Sequence, residues 1–172
     1  YNYFNALGLI EKGEMSVVRK VESGLSLNKF YTQPLDTLLG VMMKRSDNFL
    51  AEQILLMVSH ETLGEVNDSG IIAHLRKTLF KDILDKGKWV DGSGLGRGNL
   101  ISPKEFISLL ETIYSGNKFE RVKHILPHGN EGTLARRYVG YEDNIWAKTG
   151  SLADHLGLSG YLKTKSNRNL AF

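Results

Sequence analysis

The sequence predicts an α+β fold with helices first and strands last, on three observations. From about residue 34 to 126 the apolar residues recur at helical period, after Pro127 they alternate with period two, and 172 residues of ordinary composition suit a single core. The expected organisation is one domain over residues 1–172, with a mainly helical part at about 34–126 and the strands of a sheet at about 127–172. It is expected to be incomplete at both ends, because it opens Tyr1-Asn2-Tyr3-Phe4 without an initiator Met and closes within an apolar strand at Phe172.

The first helix is expected from Pro34, which suits a first turn, with Leu35, Leu38, Leu39 and Met42 at i, i+3, i+4 and i+7. Ser46-Asp47-Asn48 are capping residues, and Leu50, Ile54, Met57 and Val58 restart the period, so the triplet marks a junction between two helices. A third helix is expected from about Asp68 to Lys86, with Ile72, Leu75, Leu79 and Ile83 on one side and Gly87 as its stop. Ser102-Pro103-Lys104-Glu105 supplies an N-cap, a first-turn proline and a capping-box glutamate for a fourth, followed by Phe106, Leu109, Leu110 and Ile113.

Between the third and fourth helices, Asp91-Gly92-Ser93-Gly94-Leu95-Gly96-Arg97-Gly98-Asn99 has the alternating glycines of a tight, irregular loop. Ile145, Ala147 and Thr149 alternate with Trp146 and Lys148, and Leu156, Leu158 and Leu162 alternate with smaller or polar residues, as in strands. Lys165-Ser166-Asn167-Arg168 reads as a hairpin turn leading into Leu170-Ala171-Phe172.

Composition narrows the function classes. A net charge of +3, with basic and acidic residues interleaved, implies no nucleic-acid partner, and no stretch approaches the ~20 apolar residues of a transmembrane segment. The absence of cysteine excludes thiolate chemistry and Cys-based zinc sites. His60, His74, His124, His128 and His155 have no metal-ligand spacing, so no metal is expected. The glycine loop suggests a phosphate cradle, but no Gly-Lys-Ser/Thr follows it and no βαβ unit precedes it.

Lys148-Thr149-Gly150-Ser151 joins a cation, hydroxyls and a position without a side chain at the end of a strand. A carboxylate-bearing peptide can use all of these: Lys148 attracts it, a hydroxyl donates to it, and Gly150 lets its backbone reach the strand edge. Alone, that run also fits an ordinary strand end, and Ser46-Asp47-Asn48 an ordinary helix cap. Their co-occurrence changes the reading, because Ser-Asp-Asn and Lys-Thr-Gly are the second and third motifs of serine β-lactamases and penicillin-binding proteins.

Further blocks agree: Asp91-Gly92-Ser93-Gly94-Leu95 with Asn99-Leu100-Ile101-Ser102-Pro103, and Leu126-Pro127 followed by Gly129, Glu131, Gly132, Thr133 and Leu134. With Ser46-Asp47-Asn48-Phe49-Leu50-Ala51-Glu52 and Ala147-Lys148-Thr149-Gly150-Ser151-Leu152, these resemble the D-alanyl-D-alanine carboxypeptidase/endopeptidase family, the class C low-molecular-mass penicillin-binding proteins (peptidase family S13), from about Leu35 to Phe172. Gly96 departs from the family's usual Ser, and Gly98 replaces a bulkier residue.

The resemblance implies a serine β-lactamase/transpeptidase-like fold, a helical subdomain packed on an antiparallel sheet with the active site between them. It implies a serine-type carboxypeptidase, possibly also an endopeptidase, that needs no cofactor. Its partners would be a peptidoglycan stem peptide ending in D-Ala-D-Ala and β-lactam antibiotics, and its location periplasmic or extracellular. By motif, Ser46 would relay protons, Asn48 would hold the substrate amide and Lys148 would set a positive field. Thr149 and Ser151 would bind the terminal carboxylate, with Gly150 beside them, and the Ser151 N–H would form half of an oxyanion hole; Asp47 would serve the junction. The first motif, Ser-x-x-Lys, is matched only by Ser26-Leu27-Asn28-Lys29 and Ser115-Gly116-Asn117-Lys118, both in unsuitable places, so the nucleophile is expected to lie outside the chain. The competing reading is a non-catalytic homologue that binds cell-wall peptides.

Overall fold

The structure, a computed structural model, describes residues 33–172, so Ser26-Leu27-Asn28-Lys29 lies outside the described residues. Helix α1 spans Leu35–Arg45 behind Pro34, with Asp36 in its first turn and Lys44 and Arg45 in its last, each charge opposing the adjacent end of the helix dipole. It stops at Ser46, whose backbone is left-handed at φ 55°. Helix α2, Asn48–Leu63, begins at once, with the Asp47 carboxylate accepting the Leu50 N–H at 2.9 Å. Gly64, at φ 75°, ends it, and Asn67 caps α3, Asp68–Lys77.

Helices α2 and α3 pack through Leu55, Ile71 and Ile72. Fully buried Ser59 ties their connection, donating to the Glu65 carbonyl at 2.7 Å and accepting the Asn67 N–H at 3.1 Å. This corrects the expected inner face of α2: Leu55 and Ser59 point inward, while Met57 and Val58 are exposed. A second correction concerns α3, which ends at Lys77 rather than Lys86. There the Thr78 hydroxyl donates to the His74 carbonyl, and the chain turns so that Phe80 meets Trp89 edge-on at 5.8 Å. Gly87 is therefore no helix stop; it is a buried backbone site whose N–H and C=O are both engaged.

Helix α4, Pro103–Ser115, has the expected capping box, with the Ser102 hydroxyl and the Glu105 carboxylate each taking the other's backbone N–H. A short α5, Phe119–Ile125, follows; the sequence reading did not anticipate it.

Strands β1 (Ile145–Leu152), β2 (His155–Lys163) and β3 (Asn169–Ala171) form an antiparallel sheet in that order. The expected turn connects β2 to β3, with the Thr164 N–H donating to the Arg168 carbonyl and Asn167 left-handed. One sheet face places Trp146 and Tyr161 against Leu110, Phe119 and Leu126 from the helices. Burial pushes the Tyr161 hydroxyl up to about 12, and it donates to the Leu110 carbonyl at 2.7 Å. The other face packs Ile145 and Ala147 against Leu134. Gly160 lies opposite Ala147, where a Cβ would strike the Trp146 carbonyl and Ala147, so only glycine lets the two strands pack this closely. The architecture is the expected α+β arrangement.

Candidate active site

The junction between α1 and α2 and the middle of β1 carry the candidate residues. The left-handed turn at Ser46 and the Asp47 cap leave Ser46 and Asn48 exposed at the start of α2, while Asp47 serves the junction. Lys148 reaches this junction: its Nζ donates to Ser46 Oγ at 2.8 Å across 102 sequence positions, and to its neighbour's carbonyl, Thr149 O, at 2.6 Å. An ammonium has three donors, so one remains uncommitted among the described residues. Partial burial disfavours the charged form and holds the Lys148 pKa below its ordinary value.

The edge of β1 divides into a closed half and an open half. Along its first half the chain at residues 127–129 lies beside the strand, with the Gly129 N–H donating to the Ile145 carbonyl at 3.2 Å and the Ala147 N–H to the Pro127 carbonyl at 2.9 Å. Backbone direction alternates along a strand, so the N–H groups of Thr149 and Ser151 face the same outer side as that of Ala147. No backbone partner meets them there among the described residues. A Cβ built on Gly150 would find no atom within 4 Å, and Ser151 is exposed. This stretch has open donors, small side chains and a cation at its base, which fits an extended ligand ending in a carboxylate.

The loop at residues 91–99 is closed on itself. The Glu52 carboxylate, one turn beyond Asn48 on α2, accepts the N–H groups of Gly92 and Ser93 at 3.1 and 3.0 Å. Asp91 accepts those of Gly94 and Gly96 at 2.6 and 2.7 Å. The N–H groups of Gly92, Ser93, Gly94 and Gly96 are thus each taken by a carboxylate, that of Leu95 by the Ser93 hydroxyl and that of Asn99 by the Gly96 carbonyl. That argues against a phosphate cradle. Gly96 fits the same arrangement, because a Cβ there would collide with the Asp91 carboxylate.

The structure thus joins Ser46 to Lys148, puts Asn48 at the same junction, and sets Thr149, Gly150 and Ser151 along one open edge. Ser115 ends α4 rather than beginning a helix. Three supporting residues received no role from sequence reasoning: Glu52, Lys44 and Glu131, the last two joined by a 2.8 Å ion pair. Glu52 had a local signal, a carboxylate one helical turn from Asn48 in the same block; the pair had none.

Comparison with known proteins identifies the family and the fold. Residues 2–172 match the D-Ala-D-Ala carboxypeptidase 3 (S13) family. The chain is 30% identical to D-alanyl-D-alanine carboxypeptidase DacB of Haemophilus influenzae over 96% of its length, and 33% identical to a D-alanyl-D-alanine carboxypeptidase of an Actinomadura species over 74%. The crystal structure of penicillin-binding protein 4 from H. influenzae, complexed with a β-lactam, superposes with a TM-score of 0.79 at 27% identity over 99% of the chain. The chain spans only part of each relative: 36% of DacB, 26% of the Actinomadura protein and 41% of the solved structure.

Proposed function

The chain belongs to the D-Ala-D-Ala carboxypeptidase 3 (S13) family, and on that premise we propose that it carries two of the three active-site motifs of a serine-type D-Ala-D-Ala carboxypeptidase. The substrate is a peptidoglycan stem peptide, cleaved through an acyl-enzyme, with endopeptidase action on cross-linked peptides as a further activity; β-lactams acylate the same serine. Such a substrate places the protein in the periplasm or outside the cell. Among the described residues no helix is long and apolar enough to cross a membrane.

The observation that carries this reading is the Lys148–Ser46 hydrogen bond, which brings two separated motifs to one point. In the proposed reaction the peptide lies along the open edge of β1, its carboxylate near Lys148, Thr149 and Ser151, and Asn48 holds its amide. A serine supplied from outside these 172 residues attacks the carbonyl of the penultimate D-Ala. The developing oxyanion takes the Ser151 N–H as one donor. Ser46, held by the Lys148 ammonium, relays the proton lost on the attacking serine's side to the departing amine of the last D-Ala as the C–N bond breaks. Water then releases the acyl group.

A fluorescent penicillin tests the proposal on denaturing gels. The 172-residue chain alone should take no covalent label and the complete protein should be labelled. A band on the chain alone would relocate the nucleophile to within it. No band on the complete protein would favour the non-catalytic peptide binder.

A further inference from the structure

The block around Gly129, Glu131, Gly132 and Leu134 carries no role in that reaction, yet it lies between its two halves. At one end it is part of the sheet: residues 127–129 bond to β1 at Ile145 and Ala147, and fully buried Leu134 packs on the same two residues, next to Lys148. At the other end it holds the last turn of α1. Glu131 Oε1 accepts from Lys44 Nζ at 2.8 Å, and its second oxygen accepts the His128 N–H at 3.4 Å. Gly132, at φ 53°, rests against the Lys44 carbonyl so closely that a Cβ there would overlap it. Ser46 follows Lys44 by two residues, and the Lys148–Ser46 bond closes a ring of contacts running from strand to strap to helix end and back.

We infer that residues 127–134 are a strap that sets Ser46 against Lys148, and that Glu131, acting through Lys44, is a positioning residue for proton transfer at Ser46. The inference rests on the function proposed above. Burial alone would raise the Glu131 pKa, but the Lys44 hydrogen bond and the His128 N–H outweigh it and keep the carboxylate charged at neutral pH. Lys44 and Glu131 are each about a third exposed, and partly exposed pairs of this kind contribute little to stability. Geometry at a reacting atom matters far more, since a displacement of ~1 Å can lower a rate on the order of 100-fold. A positioning role therefore predicts a rate effect out of proportion to any loss of stability.

The test uses the complete protein with Glu131→Gln, Lys44→Met and the double charge swap Lys44→Glu/Glu131→Lys. Release of D-Ala from a D-Ala-D-Ala peptide should show kcat lowered about 10- to 100-fold with KM within about twofold, and the swap should recover most of the loss. Wild-type kcat in all three variants, or a loss that follows melting temperature and is not relieved by the swap, would overturn the strap. A second readout needs no peptidase activity: the pH dependence of alkylation of Ser46→Cys. Beside the Lys148 ammonium, that thiol should react at lower pH than an ordinary cysteine of pKa about 8.5, and adding Glu131→Gln should move the profile back up. Coincident profiles would also overturn the inference. If the wild-type protein neither releases D-Ala nor binds penicillin, the carboxypeptidase reading fails, and the thiol profiles still decide the strap.

Discussion

Residues 86–102 and the pair of segments around Ser46 and Lys148 are both rich in small and polar residues, yet they dispose of their hydrogen bonds in opposite ways. In the first region three carboxylates close the chain on itself. Glu105 takes the N–H groups of Lys86, Gly87 and Ser102, Glu52 those of Gly92 and Ser93, and Asp91 those of Gly94 and Gly96. In the second, the outer N–H groups of β1 beyond Ala147 face an unoccupied edge, and one Lys148 donor is uncommitted among the described residues. Glycine content alone does not distinguish scaffold from ligand site. The balance of donors and acceptors does, because a satisfied loop gives a ligand nothing to bind.

That contrast breaks most visibly at Lys148. In the complete protein Lys148→Ala removes the charge that holds Ser46 and that the proposed reaction sets near the ligand's carboxylate, so acylation by penicillin should slow by about 100-fold or more while the fold persists. A change of less than about threefold would mean that the open edge works without its cation. In the wild-type protein, the lowered Lys148 pKa adds a pH signature: the basic limb of kcat/KM should begin below the ordinary lysine range.

On the closed side, Glu52→Gln leaves one neutral acceptor for the two N–H groups of Gly92 and Ser93. The expected loss is about 1–2 kcal/mol, read as a melting temperature lower by roughly 3–8 °C. Faster hydrogen exchange at Gly92 and Ser93 should accompany it, with penicillin acylation reduced by less than about tenfold. A loss as large as that of Lys148→Ala, without a shift in melting temperature, would put Glu52 in the chemistry and erase the contrast.

What could be read from sequence divides along similar lines. The start of α4 was legible because Ser102, Pro103 and Glu105 act within one turn, and β1 and β2 because their alternation is local. The end of α3 was not, since the apolar period continues through Leu79 and Ile83 while the chain turns at Thr78, with the Phe80 N–H on the Leu75 carbonyl and the Phe80 ring against Trp89. The inner face of α2 was misread because one of its buried positions is Ser59, which satisfies itself on backbone groups and leaves Met57 and Val58 outside. Helix α5, with seven residues, offers too few turns for its period to register. Ser46 and Lys148 were legible only as two motifs occurring together, whereas Lys44 and Glu131, 87 positions apart, form an ion pair that no local pattern announces.

Glu105 is expected to disturb penicillin acylation least, and its effect on stability carries the sharpest sign with pH. Hydrogen bonds from the Ser102 backbone and hydroxyl, then from Gly87 and Lys86, outweigh burial and depress its pKa to about 2 from an ordinary 4.5. Between those values the folded chain binds fewer protons than the unfolded one, so the stability this carboxylate contributes is complete above about 4.5 and is lost as pH falls toward 2. Melting temperature should therefore decline through that acid window in the wild-type protein and decline less in Glu105→Gln, which has no charge to lose. Equal acid slopes in the two proteins would mean that the closed region owes its stability to the shape of the loop and not to the carboxylate that gathers its N–H groups.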